Sequence, residues 1–118
     1  MAEPLDAGSP YLVEGLRLFR EGQYFLAHET LEELWAEAPA AERPFLQGLI
    51  QLATGFHHLR RGNLAGAALQ FGKARARFEG YPSPYLGVDV AAVRSFLTGA
   101  LARLETGQGE GIEPPSLP

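Results

Sequence analysis

Apolar residues recur at every third or fourth position through five segments of the chain. This spacing places them on one face of an α-helix, so each segment predicts an amphipathic helix that packs on a common core. The predicted helices cover residues 10–20, 23–38, 41–61, 63–78 and 89–105. Ser9-Pro10 and Asp89 suit two of the starts, because Ser and Asp cap free N–H groups and Pro fits the first helical position. The pattern predicts an all-α protein, a compact bundle of about five helices.

Two of the predicted turns are similar in sequence. Residues 18–24 resemble residues 58–64 at an offset of forty positions, and the two segments are centred on Gly22 and Gly62. Each reads as a helix, a turn in which Gly ends that helix, and a second helix. The chain therefore predicts two helix-turn-helix hairpins in pseudo-repeat. Because two units are fewer than tetratricopeptide arrays usually need, a closed bundle is favoured over an open solenoid.

Length and composition predict one domain over residues 1–106, followed by a Gly/Pro-rich tail over residues 107–118 that we expect to be frayed. The stretch from Met1 to Asp6 is acidic and lacks the basic and apolar regions of a signal peptide. No apolar run reaches the roughly 18–20 residues that cross a bilayer. The chain has no cysteine, which excludes disulfides and thiolate chemistry. We expect a soluble, cytoplasmic protein with no membrane partner.

The charge distribution excludes one large class of partner. The net charge is −4, so nucleic acid, which needs a cationic face, is not expected to bind. Residues 1–59 carry nine acidic and three basic side chains, whereas residues 60–118 carry five acidic and seven basic ones. Two halves of opposite charge attract each other within one fold or in a homo-oligomer. Few amide side chains and many Arg residues fit a heat-adapted source, although a GC-rich genome gives similar arginine usage.

The second predicted helix carries the residues with the clearest chemical potential. At about 100° per residue, His28 and Trp35 lie on the inward stripe, and Glu32 lies at its edge. His28 and Glu32 are four residues apart, so their side chains can touch. Trp35 on this stripe is expected to belong to the core rather than to a ligand platform.

The third predicted helix carries an unusual polar line. Gln47, Gln51, Thr54 and His58 follow at spacings of 4, 3 and 4 on a helix that is otherwise mostly apolar. A helix that is apolar over most of its circumference is buried, so this line should face polar groups or a cavity. Antiparallel packing of the two helices would turn it toward His28 and Glu32.

Three interpretations of these residues remain open. In the first, His28 and Glu32 form a hydrogen-bonded pair, and Gln47 or Gln51 completes an interior network. In the second, His28, Glu32 and His58 bind a metal ion with one open position, although the sequence His-Glu-x-x-Glu is a poor match to the zinc-protease motif His-Glu-x-x-His. In the third, Glu32 raises the basicity of His28 in a metal-free pocket. No cofactor is predicted, because no cofactor fingerprint appears.

A family resemblance rests on the combined motifs of the first four helices. These are Phe19-x-x-Gly22-x-Tyr24-x-x-Ala27-His28-Glu29-x-x-Glu32-x-x-Trp35, then Phe45-Leu46-Gln47-Gly48-Leu49-Ile50-Gln51, then Gly62-Asn63-x-x-Gly66-Ala67. The chain resembles the domain-of-unknown-function family 309 over about residues 10–78. The resemblance implies an all-α bundle and marks His28, Glu32 and Trp35 as the suspected functional signature. It implies no reaction, substrate or cofactor.

Two functions of different classes follow. The leading hypothesis is a binding or scaffold module for a small molecule or a protein, with Trp35, Gln47, Gln51 and His58 as candidate binding residues. The alternative is a hydrolase-type enzyme in which His28 and Glu32 act as base and orienter or as metal ligands. Whether the protein is an enzyme stays open on the sequence.

Overall fold

The computed structural model describes residues 4–118, which form five α-helices and no β-strand. The helices are α1 (Pro10–Arg20), α2 (Tyr24–Glu37), α3 (Arg43–Arg60), α4 (Leu64–Phe78) and α5 (Val90–Glu105). The predicted all-α class is confirmed, and every predicted helix end lies within two residues of the observed one. The prediction that no signal peptide is present rests on residues 1–6. Of these, residues 1–3 lie outside the described residues.

The two glycine turns close in the same way. Gly22 has φ of 77° and Gly62 has φ of 76°, a left-handed conformation that glycine adopts without a Cβ penalty. After Gly22, the N–H of Gln23 donates to the carbonyl of Leu18 at 2.9 Å, and after Gly62 the N–H of Asn63 donates to the carbonyl of His58 at 2.9 Å. Whether the pseudo-repeat extends beyond these two turns stays a prediction.

One aromatic side chain of α3 joins all five helices. The fully buried ring of Phe56 lies with its centroid 5.7 Å from that of Phe19 on α1 and 5.2 Å from that of Tyr24 on α2. On its other side it lies 5.1 Å from Phe71 on α4 and 5.6 Å from Phe96 on α5. The helices otherwise pack mainly on their neighbours in sequence. The result is a compact molecule with one core and a radius of gyration of 13.4 Å.

Helices α3 and α4 approach each other closely at two glycines. A Cβ at Gly48 would lie 2.9 Å from the ring of Phe78, and a Cβ at Gly55 would lie 2.4 Å from the ring of Phe71. Only a residue without a side chain lets these buried rings rest on the α3 backbone. The polar line of α3 therefore runs along a helix whose neighbour is α4.

The C-terminal segment packs against the core, whereas the sequence predicted that it would be frayed. Ile112 and Leu117 are buried against the core. The side chain of Arg103 donates to the carbonyl of Glu110, and that of Arg20 donates to the carbonyl of Pro118. The expectation was wrong because the segment carries two apolar side chains, whose burial offsets the entropy lost on ordering a Gly/Pro-rich chain.

A membrane-spanning helix is not found in this part of the chain. Among residues 4–118, no helix is long enough and apolar enough to cross a bilayer.

Candidate functional site

His28 and Glu32 make the side-chain contact that their spacing predicted, but on the surface. The Nε2 atom of His28 lies 2.9 Å from Oε1 of Glu32, one helical turn away. The side chain of His28 is 23% exposed and that of Glu32 is 56% exposed. The interior network predicted for this pair is therefore wrong. Glu32 lies at the edge of the inward stripe, and at that angle a long side chain reaches solvent.

Both nitrogens of the His28 ring face oxygen acceptors. Nδ1 lies 3.2 Å from the carbonyl oxygen of Phe25, and Nε2 faces Glu32. A neutral imidazole can donate from only one nitrogen, so both contacts are hydrogen bonds only when the ring is protonated on both. The pair can fix the ring orientation and hold positive charge beside a carboxylate.

An exposed aromatic ring lies next to the His28–Glu32 pair. The ring of Phe25 is 50% exposed, and its centroid lies 5.3 Å from the ring of His28 and 5.4 Å from the ring of His57 on α3. Phe25, His28 and His57 are called the Phe25 patch below. Burial lowers the pKa of His57, and the neighbouring cationic groups of Arg61, His58 and His28 lower it further. The patch consists of one aromatic and two imidazole rings, with the imidazoles of His28 and His57 tilted by 50° and 49° from the plane of Phe25. The Glu32 carboxylate borders it at His28.

Sequence reasoning did not find Phe25. A signal was available, because Phe25 lies off the inward stripe of α2, where a polar side chain is usual. Exposure alone does not single out Phe25, because Tyr11 is 49% exposed and Leu69 is 58% exposed. Phe25 differs from them in lying beside two imidazole rings.

His58 serves the turn between α3 and α4. Its Nδ1 lies 3.2 Å from the Nδ2 of Asn63, whose Oδ1 in turn accepts from the N–H of Gly66 at 2.9 Å and caps α4. Among residues 4–118, no group of three His, Asp or Glu side chains is placed to hold a metal ion. The three-ligand arrangement of His28, Glu32 and His58 is therefore not assembled.

Trp35 covers the turn between α2 and α3. It is half-buried against the core, and the guanidinium of Arg43 lies 5.0 Å from its ring centroid. The same guanidinium donates to the carbonyls of Ala38 at 3.2 Å and Ala36 at 3.3 Å. Trp35 thus contributes to a cation–π contact that fixes the connection of the two helices.

Gln47 and Gln51 face α4 rather than α2. With Lys73, Ala76 and Arg77 they line a cleft between α3 and α4 of about 530 Å³. The line of Gln47, Gln51, Thr54 and His58 was expected to face polar groups or a cavity, and only the two glutamines line this cleft. The predicted docking of the line toward His28 and Glu32 is wrong. The reason is that Gly48 and Gly55, on the same side of α3, bring α4 against this face.

A third polar cluster at the start of α3 joins it to the loop before α5. The hydroxyl of Tyr81 accepts from the N–H of Phe45 at 3.1 Å and donates to the carbonyl of Ala41 at 2.8 Å. The hydroxyl of Tyr85 donates to the carboxylate of Glu42. Burial, followed by this bond to Glu42, raises the pKa of Tyr85 to about 12. The cluster replaces a side-chain cap that α3 otherwise lacks.

By its fold and site, the chain is a small all-α protein of successive helices with an imidazole–carboxylate pair on the second helix. The chain belongs to the DUF309 family, a domain of unknown function, whose model matches residues 12–69. The match runs from α1 into α4. It includes the Phe25 patch and both glutamines, and it ends before Lys73.

Curated relatives are longer than this chain. The chain is 47% identical over 58 residues to the uncharacterized protein YpuF of Bacillus subtilis, which is 48% of this chain and 32% of that protein. It is 28% identical over 107 residues to an uncharacterized protein of Aquifex aeolicus, which is 90% of this chain and 31% of that protein. The chain spans about a third of the length of these two relatives.

A solved structure shares the fold. The crystal structure of a conserved hypothetical protein from Thermus thermophilus matches with a TM-score of 0.64 and 42% identity, covering 81% of this chain and 97% of that one. The names of these relatives include a Thermus and an Aquifex species, which is compatible with a heat-adapted source, one of the two explanations of the composition.

Proposed function

We propose that this protein is a binding module that recognises a protein segment through the Phe25 patch. The observation that carries the proposal is the half-exposed ring of Phe25, held between the imidazoles of His28 and His57. Aromatic side chains on a rigid helix give large contact area at low entropic cost, and they dominate the binding energy of protein interfaces. The ring belongs to α2 and lies beside His57 of α3, so a helix presents it rather than a loop.

Charge next to the patch selects the chemistry of the partner. Glu29 and Glu32 are exposed one and two turns beyond Phe25 on α2, within about 40° of it around the helix axis. Their carboxylates favour a partner with Lys or Arg beside its apolar anchor. The proposed ligand is a basic amphipathic segment of another protein, or of a longer chain in which this domain occurs.

The rival hypothesis of a hydrolase has less support. The clefts described on this protein are lined by residues other than His28 and Glu32. A base and its orienter act best at the floor of a cleft that excludes water, whereas the Glu32 carboxylate is more than half-exposed.

Selection from a random peptide-display library tests the proposal. We expect enriched peptides to combine an aromatic or aliphatic residue with Lys or Arg, and to lose about tenfold or more in affinity for Phe25→Ala. Leu69→Ala is the matched control, because Leu69 is an equally exposed apolar residue on α4. Enriched peptides that bind the Phe25→Ala variant as tightly as the parent protein, or a failure to enrich any sequence, would contradict it.

A further inference from the structure

The C-terminal segment, residues 107–118, connects two helices that are not close neighbours. It continues from the end of α5, where the side chain of Arg103 donates to the carbonyl of Glu110. At its other end, the side chain of Arg20 on α1 donates to the carbonyl of Pro118. Among residues 4–118, each helix packs mainly on its neighbours in sequence, and α1 and α5 are not a closely packed pair. The segment therefore bridges the two ends of the helix array.

The course of the segment follows from its contacts. A Cβ at Gly109 would lie 2.4 Å from the side chain of Leu64, beside the turn between α3 and α4. Burial raises the pKa of Tyr24, Arg60 opposes this effect, and the carboxylate of Glu113 adds to it. Glu113 therefore lies on the side of the bundle where α2 begins. The segment runs from α5 past the two glycine turns to α1, and the surface beneath it is called the α1–α5 groove below.

Side chains hold the segment in this groove, and its own backbone contributes little. The segment forms neither helix nor strand, and beyond residue 108 no backbone–backbone hydrogen bond joins it to the rest of the described chain. Ile112 is 8% exposed and Leu117 is 5% exposed, whereas Glu113 and Ser116 between them are exposed. Peptide ligands dock in grooves in the same way, through spaced apolar anchors on a proline-containing chain.

The two arginines bind the segment in a manner that does not depend on its sequence. Arg20 and Arg103 both donate to main-chain carbonyls, which every residue supplies. Another chain with apolar side chains at the places of Ile112 and Leu117 would meet the same donors. The segment also leaves space, because a cleft of about 1080 Å³ separates residues 107–113 from the side chains around the α3–α4 turn.

Release of the segment requires less than unfolding of the protein. Burial of two apolar side chains favours the bound segment, and the conformational entropy lost by residues 109–118 opposes it. These two contributions are of the same order. Segments with few buried contacts and no backbone hydrogen bonds open locally while the helices stay folded.

We propose that the α1–α5 groove binds an apolar, non-helical segment of another protein, and that residues 109–118 occupy the groove as an intramolecular competitor. The partner segment carries two aliphatic side chains five positions apart, at the places of Ile112 and Leu117. Its carbonyls accept from Arg20 and Arg103. The groove is separate from the Phe25 patch, so this inference does not depend on the function proposed above.

Fluorescence anisotropy with a labelled peptide of residues 107–118 tests the groove in the full chain. The release variant carries Ile112→Ser and Leu117→Ser, which free the segment and keep its length. An occupied groove lowers the apparent affinity by the fraction of open molecules, so this variant should bind the peptide about tenfold or more tighter than the parent. The matched control carries Gln108→Ser and Glu110→Ser, at exposed positions of the segment, and should bind like the parent. A release variant that does not bind the peptide overturns the proposal.

Amide hydrogen exchange shows whether the helices survive release. We expect the release variant to keep the protection of α2, α3 and α4, because their packing on one another does not involve the segment. Loss of protection in all five helices would make Ile112 and Leu117 part of the global fold and would overturn the proposal. If the double variant fails to fold, Leu117→Ser alone leaves one anchor in place and should still bind the peptide about threefold tighter than the parent.

Selection of random peptides on the release variant separates a partner from the other possible occupants. Enriched peptides should carry two aliphatic residues five positions apart, and the peptide of residues 107–118 should displace them. Phe25→Ala in the same variant should leave their binding unchanged, so failure here is distinct from failure of the Phe25 patch. Enrichment of peptides without this spacing overturns the proposal. A parent protein that dimerises where the release variant does not would assign the groove to a second copy and would also overturn it.

Discussion

Individual side chains of the same type have opposite roles in this protein, and their burial decides which role each takes. Phe25 and Phe56 both lie on helices near the α2–α3 contact, yet Phe25 is 50% exposed and Phe56 is fully buried among four other rings. A buried ring stabilises the fold through transfer from water and packing, whereas a half-exposed ring contributes little to stability. The exposed one is therefore available for binding.

Alanine substitutions at these two positions should differ several-fold in their effect on stability. Phe56→Ala should lower the free energy of unfolding by about 3–5 kcal/mol, because it leaves a cavity at the centre of the core. Phe25→Ala should lower it by less than about 1 kcal/mol, as expected for a partly exposed site. Chemical denaturation of both variants measures the difference. A loss at Phe25 that equals the loss at Phe56 would make the patch part of the fold and would remove the basis for a binding role.

At the scale of the helices, glycine allows the close approach of α3 and α4. At Gly55 of α3, the ring of Phe71 occupies the volume that a Cβ would fill. Gly72, in the middle of α4, has nothing within 4 Å of its Cβ position. The first glycine is required by packing, and the second is a replaceable helical residue.

Alanine at the two glycines should therefore change stability in opposite directions. Gly55→Ala should destabilise by about 1–3 kcal/mol, because the buried ring of Phe71 cannot move aside without strain. Gly72→Ala should raise the free energy of unfolding by about 0.5–1 kcal/mol. Alanine restricts the unfolded chain more than glycine does, so less entropy is lost when the helix forms. Thermal and urea unfolding give both values. Stabilisation by Gly55→Ala would show that α3 and α4 are not in the close contact described.

At the scale of the whole molecule, two segments outside the helices add contacts between parts of the chain that are far apart in sequence. The loop before α5 is tied to the start of α3 by the Tyr85–Glu42 hydrogen bond, and the C-terminal segment covers the core with Ile112 and Leu117. Such contacts make stability depend on groups outside the helices.

Stability should fall at alkaline pH partly because of Tyr85. Burial and Glu42 raise its pKa in the folded protein to about 12 from an ordinary value of 10.0. The folded state thus holds this proton more tightly than the unfolded state, so the resulting stability is fully present below pH 10.0 and is lost as pH rises toward about 12. Tyr85→Phe should reduce the loss over this range, as measured by urea midpoints at each pH.

A control tyrosine separates this effect from general alkaline unfolding. Tyr11 is 49% exposed and lies on α1, outside the cluster. Tyr11→Phe should keep the alkaline loss of the parent protein. The same loss in Tyr85→Phe as in the parent would mean that the Tyr85–Glu42 contact does not control the transition.

The candidate sites show how far a single helix can be read from its sequence. The spacing of His28 and Glu32 predicted their contact, because residues four apart are neighbours on any α-helix. The line of Gln47, Gln51, Thr54 and His58 predicted a face turned to polar groups or a cavity, and its two glutamines line a cleft. The helix predicted to pack on that line, α2, was wrong, because the glutamines face α4. Periodicity fixes which residues share a face of a helix, but it leaves open which neighbouring helix covers that face.

The sequence by itself determined the five helices, their glycine turns and the all-α class, because helix spacing, capping and turn residues act over a few positions. Only the tertiary structure decided that His28 and Glu32 lie on the surface beside Phe25 and that Gln51 lies in a cleft with Lys73 and Arg77. These arrangements depend on the closeness of α4 to α3 and on the packing around Phe56. Such contacts join residues far apart in the chain, and local patterns carry no information about them.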